Sequence, residues 1–281
     1  MNILISRLLN NANSKPFSSL LRKIKAESNL RDKARLNSVS ARQSGAWLVV
    51  IHNQKLGLVM SPQEFMVALR MWLGIPMFPS PPSSIRCPCD TVIDPDGDDV
   101  LGCGHGSLRN KRYDTLCDVI FNTVLVDNRD CKKKQRCNSH NNARLGAAFH
   151  PDFLQGRVAY FDVTARNSLQ ASYLLESATQ PGAAAAGGNS QKTAWYEDEV
   201  NTAGCDFYPL VVETLGVWSP SSLEILKIIA RRTVLPTGAT VSKAIQHLLQ
   251  QLSSSLWRYN AKLILSRLAI CNVDNVMWEY V

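Results

Sequence analysis

No stretch of this 281-residue chain reaches the roughly 18 uninterrupted apolar residues that a membrane-spanning helix needs. Cysteine is too sparse, at eight residues, for the dense disulfide framework of a small secreted scaffold. There is no glycine repeat, which excludes a collagen-like chain, and no sustained heptad, which excludes a coiled-coil rod. Acidic charge is in deficit: 23 Asp and Glu face 31 Lys and Arg, for a net charge of +8. That surplus suits a polyanionic partner, nucleic acid before an acidic membrane. The first 15 residues show no cationic stretch ahead of the apolar ones and no small-residue cleavage site, so no secretory signal is expected. With 45% hydrophobic and 19% charged residues, the composition is that of an ordinary globular chain.

The positive charge is unevenly placed. Residues 1–47 hold nine Lys or Arg against Glu27 and Asp32, and residues 1–43 are expected to form a basic arm, either solvated or phosphate-contacting. Ser61, Pro62 and Glu64 make a capping box with Pro at the first helical position, predicting a helix to Leu73 that Gly74 ends. A linker holding Pro76, Pro79, Pro81 and Pro82 follows, so residues 44–84 form a helical region with a Pro-rich tail. Residues 85–108 are expected as a small zinc module and residues 109–281 as the main domain. From Arg112, the spacing of Leu116, Val119, Ile120 and Val124 is helical. Residues 130–150 predict a loop or a weak edge strand. The β-branched and aromatic runs 158–164 and 207–214 predict buried strands. The Pro-Gly-Ala-rich stretch 181–189 is expected as a loop, with a helix over 191–202. Helices follow Ser219-Pro220 and Gly238, the second carrying the most regular amphipathic pattern, from Val241 to Leu256. Trp218 and Trp257 are expected in the core. The whole predicts a mixed α/β fold with flanking helices.

Cys87, Cys89, Cys103 and His105 form a C-x-C…C-x-H arrangement, whereas Cys117, Cys131, Cys137, Cys205 and Cys271 are scattered. Clustered thiolates with one imidazole suit a closed tetrahedral Zn²⁺ site of structural type. The alternative is buried free cysteines beside an exposed histidine. Lys132, Lys133, Lys134 and Arg136 offer phosphate contacts or a wet loop. His52, His140, His150 and His247 show no ligand spacing.

Asp162 stands inside an apolar strand, where a carboxylate is costly unless paired or metal-bound. Asp152 would come alongside it if the two flanked one hairpin turn at 155–157, and their mutual repulsion would then call for a cation. Mg²⁺ or Mn²⁺ is the expected ion, able to activate water and stabilise charge on a phosphodiester. Glu213, at the far end of the 207–214 strand, is the third carboxylate. The alternative makes Asp162 and Glu213 solvated strand ends.

His150-Pro151-Asp152 followed by Gly156-Arg157 and Phe161-Asp162-Val163-Thr164 resembles the PD-(D/E)xK nuclease signature. Together with Leu101-Gly102-Cys103, Ser172-Tyr173-Leu174 and Pro209 through Trp218, the order of motifs is similar to the restriction-like endonuclease region of eukaryotic non-LTR retroelement proteins, over about residues 38 to 260. The resemblance implies a restriction-endonuclease-like core, a divalent-metal-dependent DNA endonuclease, a nuclear location and, as a candidate partner, a reverse transcriptase of the same or a related element. Asp152 and Asp162 would hold the metal and Glu213 would assist. The signature's lysine is Thr164 here; in relatives a basic residue can move to the following helix, which points to Lys192. The resemblance also puts a zinc-ligating histidine where Asp99 stands, leaving Asp99 as the alternative to His105, and an acidic helix position at Asp118. No polymerase region is present, as in a piece or a derived copy of such an element. The rival assignment is a catalytically inactive, zinc-containing nucleic-acid-binding protein on the same fold. A zinc-organised protein-interaction module is the third.

Overall fold

The computed structural model describes residues 23–50, 58–78, 85–133, 146 and 148–270. Helix α1 (Leu30–Val39) is followed by a 3-10 turn (Ser44–Val49), α2 (Pro62–Leu73), the short α3 (Asp98–Gly102) and α4 (Leu108–Asp127). Strands β1 (Lys132–Lys133), β2 (Ala148–Leu154) and β3 (Arg157–Arg166) come next. Helices α5 (Ala171–Thr179), α6 (Ala183–Trp195) and α7 (Glu197–Ala203) then lead to β4 (Asp206–Glu213). The chain continues through α8 (Pro220–Arg232), α9 (Val234–Thr237) and α10 (Val241–Ile270).

The strands form one mixed sheet in the order β1-β2-β3-β4. The first three make an antiparallel meander, and β4 lies parallel to β3. A parallel neighbour requires a crossover, which α5, α6 and α7 supply. β4 is an edge strand, where the missing donor of Pro209 is tolerated. The expected α/β class with flanking helices is what the chain adopts. Among the described residues, no helix is long and apolar enough to cross a membrane.

Among the described residues, two large apolar clusters fill most of the interior, beside a small one around Tyr160 and Cys205. In one, Leu116 and Ile120 of α4 meet Phe161, Leu210 and Val212 of the sheet, with Leu226 of α8 behind them. In the other, Trp47, Val67, Ile93 and Leu101 pack with Ala34 of α1. Helix α10, with 30 residues and hence about 45 Å long, joins both. Leu248, Leu252 and Leu256 enter the sheet cluster, and Trp257, Ala261 and Ile264 enter the second. Trp218 and Trp257 are buried as expected.

Three expectations are refined or corrected. The basic arm is not a free arm from Asn29 onward. Arg31 pairs with Asp98 at 2.5 Å and Asp96 at 3.3 Å, Arg35 donates to the Trp72 carbonyl at 2.9 Å, and Asn37 donates to the Ser177 carbonyl at 2.9 Å. Fixed acceptors turn these side chains inward. Residues 1–22 of that arm lie outside the described residues, as do 79–84 of the Pro-rich linker. Second, residues 85–108, expected as a small zinc module, share their apolar cluster with α1, α2 and α10. Third, the stretch from Ala183 is helical, not a loop. Four alanines are the best helix formers available, and Gly188 beyond them lets the helix approach the sheet.

Candidate functional site

Asp162 lies between Phe161 and Val163, which face the sheet cluster, so strand alternation turns its carboxylate to the opposite layer. Side chains from both layers reach it. Tyr113, from the first turns of α4, donates its hydroxyl to Asp162 Oδ1 at 3.0 Å, and Lys192 of α6 ion-pairs with Oδ2. Burial first, and the Asp162 charge second, push the Tyr113 hydroxyl far up, so it stays a donor. Burial likewise raises the neighbouring Cys117 thiol to about 12, which leaves it a neutral apolar filler.

The placement of Lys192 follows from how α6 lies on the sheet. Glu213, at the end of β4, accepts the Ala184 amide at 3.2 Å and the Ser38 hydroxyl at 2.7 Å. It thereby holds the N-terminus of α6, where a carboxylate is favoured. From Ala184 to Lys192 the helix rises about 12 Å. From Glu213 back to Pro209, the residue opposite Asp162, the strand runs about 13 Å. Helix α6 therefore runs antiparallel to β4 and delivers Lys192 over Asp162. Gly188 permits the approach: a Cβ there would stand 2.9 Å from Arg166 Nε and 3.1 Å from Val211 Cγ1.

The other two carboxylates do not join this pair. In the parallel register Glu213 faces Arg166, four residues beyond Asp162, and its oxygens are occupied as the α6 cap. It is fully buried; burial raises its carboxyl while Ser38 and the amides of Ala184, Ala185 and Gly182 pull it down. Glu213 thus serves the helix, not Asp162. Asp152 is corrected as well. The β2–β3 ladder pairs His150 with Ala159 and Leu154 with Arg157. Asp152 accordingly lies opposite residues 157–159, three to five residues or roughly 10–16 Å along the sheet from Asp162. An irregularity between His150 and Leu154 turns Phe153 into the core and leaves Asp152 exposed. His150 Nε2 contacts Asp127 at 2.9 Å, its Nδ1 accepts the Asp152 amide at 3.1 Å, and Arg232 binds the Asp152 and Phe153 carbonyls. Among the described residues, no trio of close His, Cys, Asp or Glu donors includes Asp152 or Asp162. The expected two-acid Mg²⁺ or Mn²⁺ site does not fit this arrangement.

The cysteines do converge. The Sγ atoms of Cys87 and Cys103 are 3.4 Å apart and those of Cys103 and Cys89 are 3.5 Å apart, within a group of three mutually close thiols. A tetrahedral zinc with bonds of about 2.3 Å needs sulfurs about 3.8 Å apart, so a few tenths of an ångström would admit the ion. Cys87, Cys89 and Cys103 fit zinc, and the ion would supply a cross-link between the 85–93 turn and the loop after α3. The imidazole of His105 and the carboxylate of Asp99 are not in the group. His105 is exposed and meets Cys103 through its backbone amide, at 3.3 Å; Asp99 is exposed and its amide donates to Asp94. Arg267 of α10, absent from the sequence-based candidates, donates to Cys87 Sγ at 3.2 Å. A second close acidic trio, Asp94, Asp96 and Asp98, is already satisfied by Arg31 and by the amides that Asp94 accepts. Burial lifts Asp98 to about 6, with Arg31 pulling the other way.

Of the basic run, Lys132 is exposed on β1 and Lys133 is ion-paired with Asp118; Lys134 and Arg136 lie outside the described residues. A groove on another face was not expected. An open groove of about 710 Å³ between α4, α9 and α10 is lined by Asn122, Thr237, Lys243, Gln246, His247 and Gln250, and no Asp or Glu among the described residues lines it. No family model matches the chain, and no curated protein matches it.

Proposed function

We propose that the chain is a restriction-endonuclease-like, zinc-containing DNA-binding protein whose carboxylate edge does not sustain divalent-metal cleavage. The β2–β3 register carries this conclusion, because it separates Asp152 from Asp162 by three to five residues. Three further observations agree with it. Both oxygens of Asp162 are engaged by Tyr113 and Lys192, Glu213 caps a helix, and Thr164 stands at the place of the signature lysine. The fold assignment and the descent from PD-(D/E)xK nucleases of non-LTR retroelements are supported by the mixed sheet, with Asp162 on an inner strand and Lys192 on the crossover helix. DNA as partner is supported by the net charge of +8 and by the carboxylate-free groove carrying Lys243 and His247. A nuclear location, and a reverse transcriptase of the same or a related element as neighbour, belong to the same proposal.

The alternative is an active Mg²⁺- or Mn²⁺-dependent endonuclease. It is favoured by Lys192 on Asp162, and by the fact that Mg²⁺ can be held by a single carboxylate plus substrate phosphates. Plasmid nicking with Mg²⁺ or Mn²⁺ against an EDTA control, beside DNA-binding titrations over a range of salt, separates the two. The binding protein should bind with an affinity that falls steeply with salt, lose affinity in Lys243→Glu, and leave plasmid supercoiled. Divalent-dependent nicking that vanishes in Asp162→Ala would establish the endonuclease instead. Absence of DNA binding at low salt would overturn both.

A further inference from the structure

Arg267 is a buried cation with no carboxylate partner among the described residues, and its position identifies what it neutralises. Only 4% of it is exposed, and α10 carries it among Leu263, Ile264 and Leu268 of the second apolar cluster. Isolated there, a guanidinium would be costly. Its Nε donates to Cys87 Sγ at 3.2 Å, one terminal nitrogen lies 3.7 Å from Cys103 Sγ, and that nitrogen also donates to the His105 carbonyl at 2.8 Å. One planar fork thus binds two thiols and the backbone just beyond them.

We propose that Arg267 is the positioning residue and counter-ion of the zinc centre, holding two of three thiolates and fixing the fourth ligand as a neutral one. This rests on the zinc assignment made above. Three thiolates on Zn²⁺ leave one net negative charge, which Arg267 cancels. A neutral imidazole from His105, or a water, keeps that balance. Asp99 would add an uncompensated negative charge beside an apolar cluster, a costly arrangement. The fork also links the metal to α10, the helix that spans both clusters, and partners outside the ligand set orient and tune metal ligands in general.

The test is zinc titration of the full chain against a chromophoric chelator, with Co²⁺ absorption as a second readout and far-UV circular dichroism as the folding check. Arg267→Met should weaken zinc binding by about 10–100-fold. Arg267→Lys should fall between Met and wild type, because a point charge lacks the fork. The sulfur-to-cobalt charge-transfer band should move to longer wavelength in Arg267→Met, since the thiolates lose a donor that lowers their electron energy; a purely packing role would not move it. Asp99→Asn should leave affinity unchanged. Affinity within twofold of wild type in folded Arg267→Met overturns the proposal, as does weaker binding in Asp99→Asn. If Arg267→Met does not fold, wild-type affinity in Arg267→Lys overturns it. If neither variant folds while metal-free wild type does, the role of Arg267 is packing and the proposal fails. A wild-type chain that binds no zinc would remove the zinc assignment itself, a separate outcome.

Discussion

Asp162 and Lys192 have side chains only 9% and 12% exposed, so each would be an uncompensated charge without the other. Removing one partner of a buried pair typically costs about 3–5 kcal/mol, whereas replacing both by neutral groups is often close to neutral. Asp162→Asn and Lys192→Met are each expected to lower stability by that order in denaturant unfolding. The double variant should lose less than either single one, giving a large coupling in the double-mutant cycle. Additive losses would show that the two residues stabilise the chain through separate contacts. At this scale the sequence marked Asp162 well, because a carboxylate within an apolar strand is an anomaly that demands a partner. Lys192 came only from the resemblance, and Tyr113 had no signal at all. The meeting of Asp152 with Asp162 was misjudged for a definite reason. A spacing of ten residues says nothing about where the ladder shifts, and the shift depends on Phe153 turning inward while Asp127, His150 and Arg232 hold the neighbouring backbone.

Helix α6 shows how composition misleads when tertiary contact decides. A Pro-Gly-Ala-rich stretch suggests a loop, yet the alanines favour helix and the glycines serve different ends. Gly188 is pressed against Arg166 and Val211, while a Cβ on Gly187 would have only Tyr173 Cε1 near it, at 3.9 Å. Gly187→Ala should therefore raise stability by about 0.5–1 kcal/mol, the usual gain for replacing glycine within a helix. Gly188→Ala should lower it by about 1–3 kcal/mol through overpacking and, by lifting α6 from the sheet, loosen Lys192 from Asp162. Thermal unfolding of the two variants side by side checks this; equal effects would mean that α6 does not press on the sheet at Gly188. Elements with local signals were legible throughout. The capping box at Ser61 opens α2, Gly74 closes it with φ 76°, and Ser219 accepts the Ser222 amide to open α8. The arm was not legible, because what holds α1 in place is remote in sequence: Asp96, Asp98 and the Trp72 carbonyl.

At the scale of the whole molecule, α10 decides whether the two apolar clusters act as one. Leu252 and Leu256 lie in the sheet cluster, and Trp257, one residue on, lies in the cluster that holds Cys87 and Cys103. A helix propagates order along its length because each added residue closes another backbone hydrogen bond. Fraying at its sheet end therefore withdraws Trp257, Ile264 and Arg267 from the other. Leu252 is fully buried, so Leu252→Ala should cost about 2–5 kcal/mol. The loss should be felt at the cysteine cluster as much as at the sheet. Metal-free protein, pulse-labelled with a thiol reagent across a denaturant series and analysed by mass spectrometry, reports both ends. Cys117 stands for the sheet cluster, Cys87 and Cys103 for the other, and all three are buried. Cooperative coupling requires the three to become reactive at one midpoint, lowered together in Leu252→Ala and coincident with the far-UV transition. A midpoint for Cys87 and Cys103 that stays at the wild-type value while that of Cys117 falls would show that the clusters unfold separately and that α10 breaks between Leu256 and Trp257.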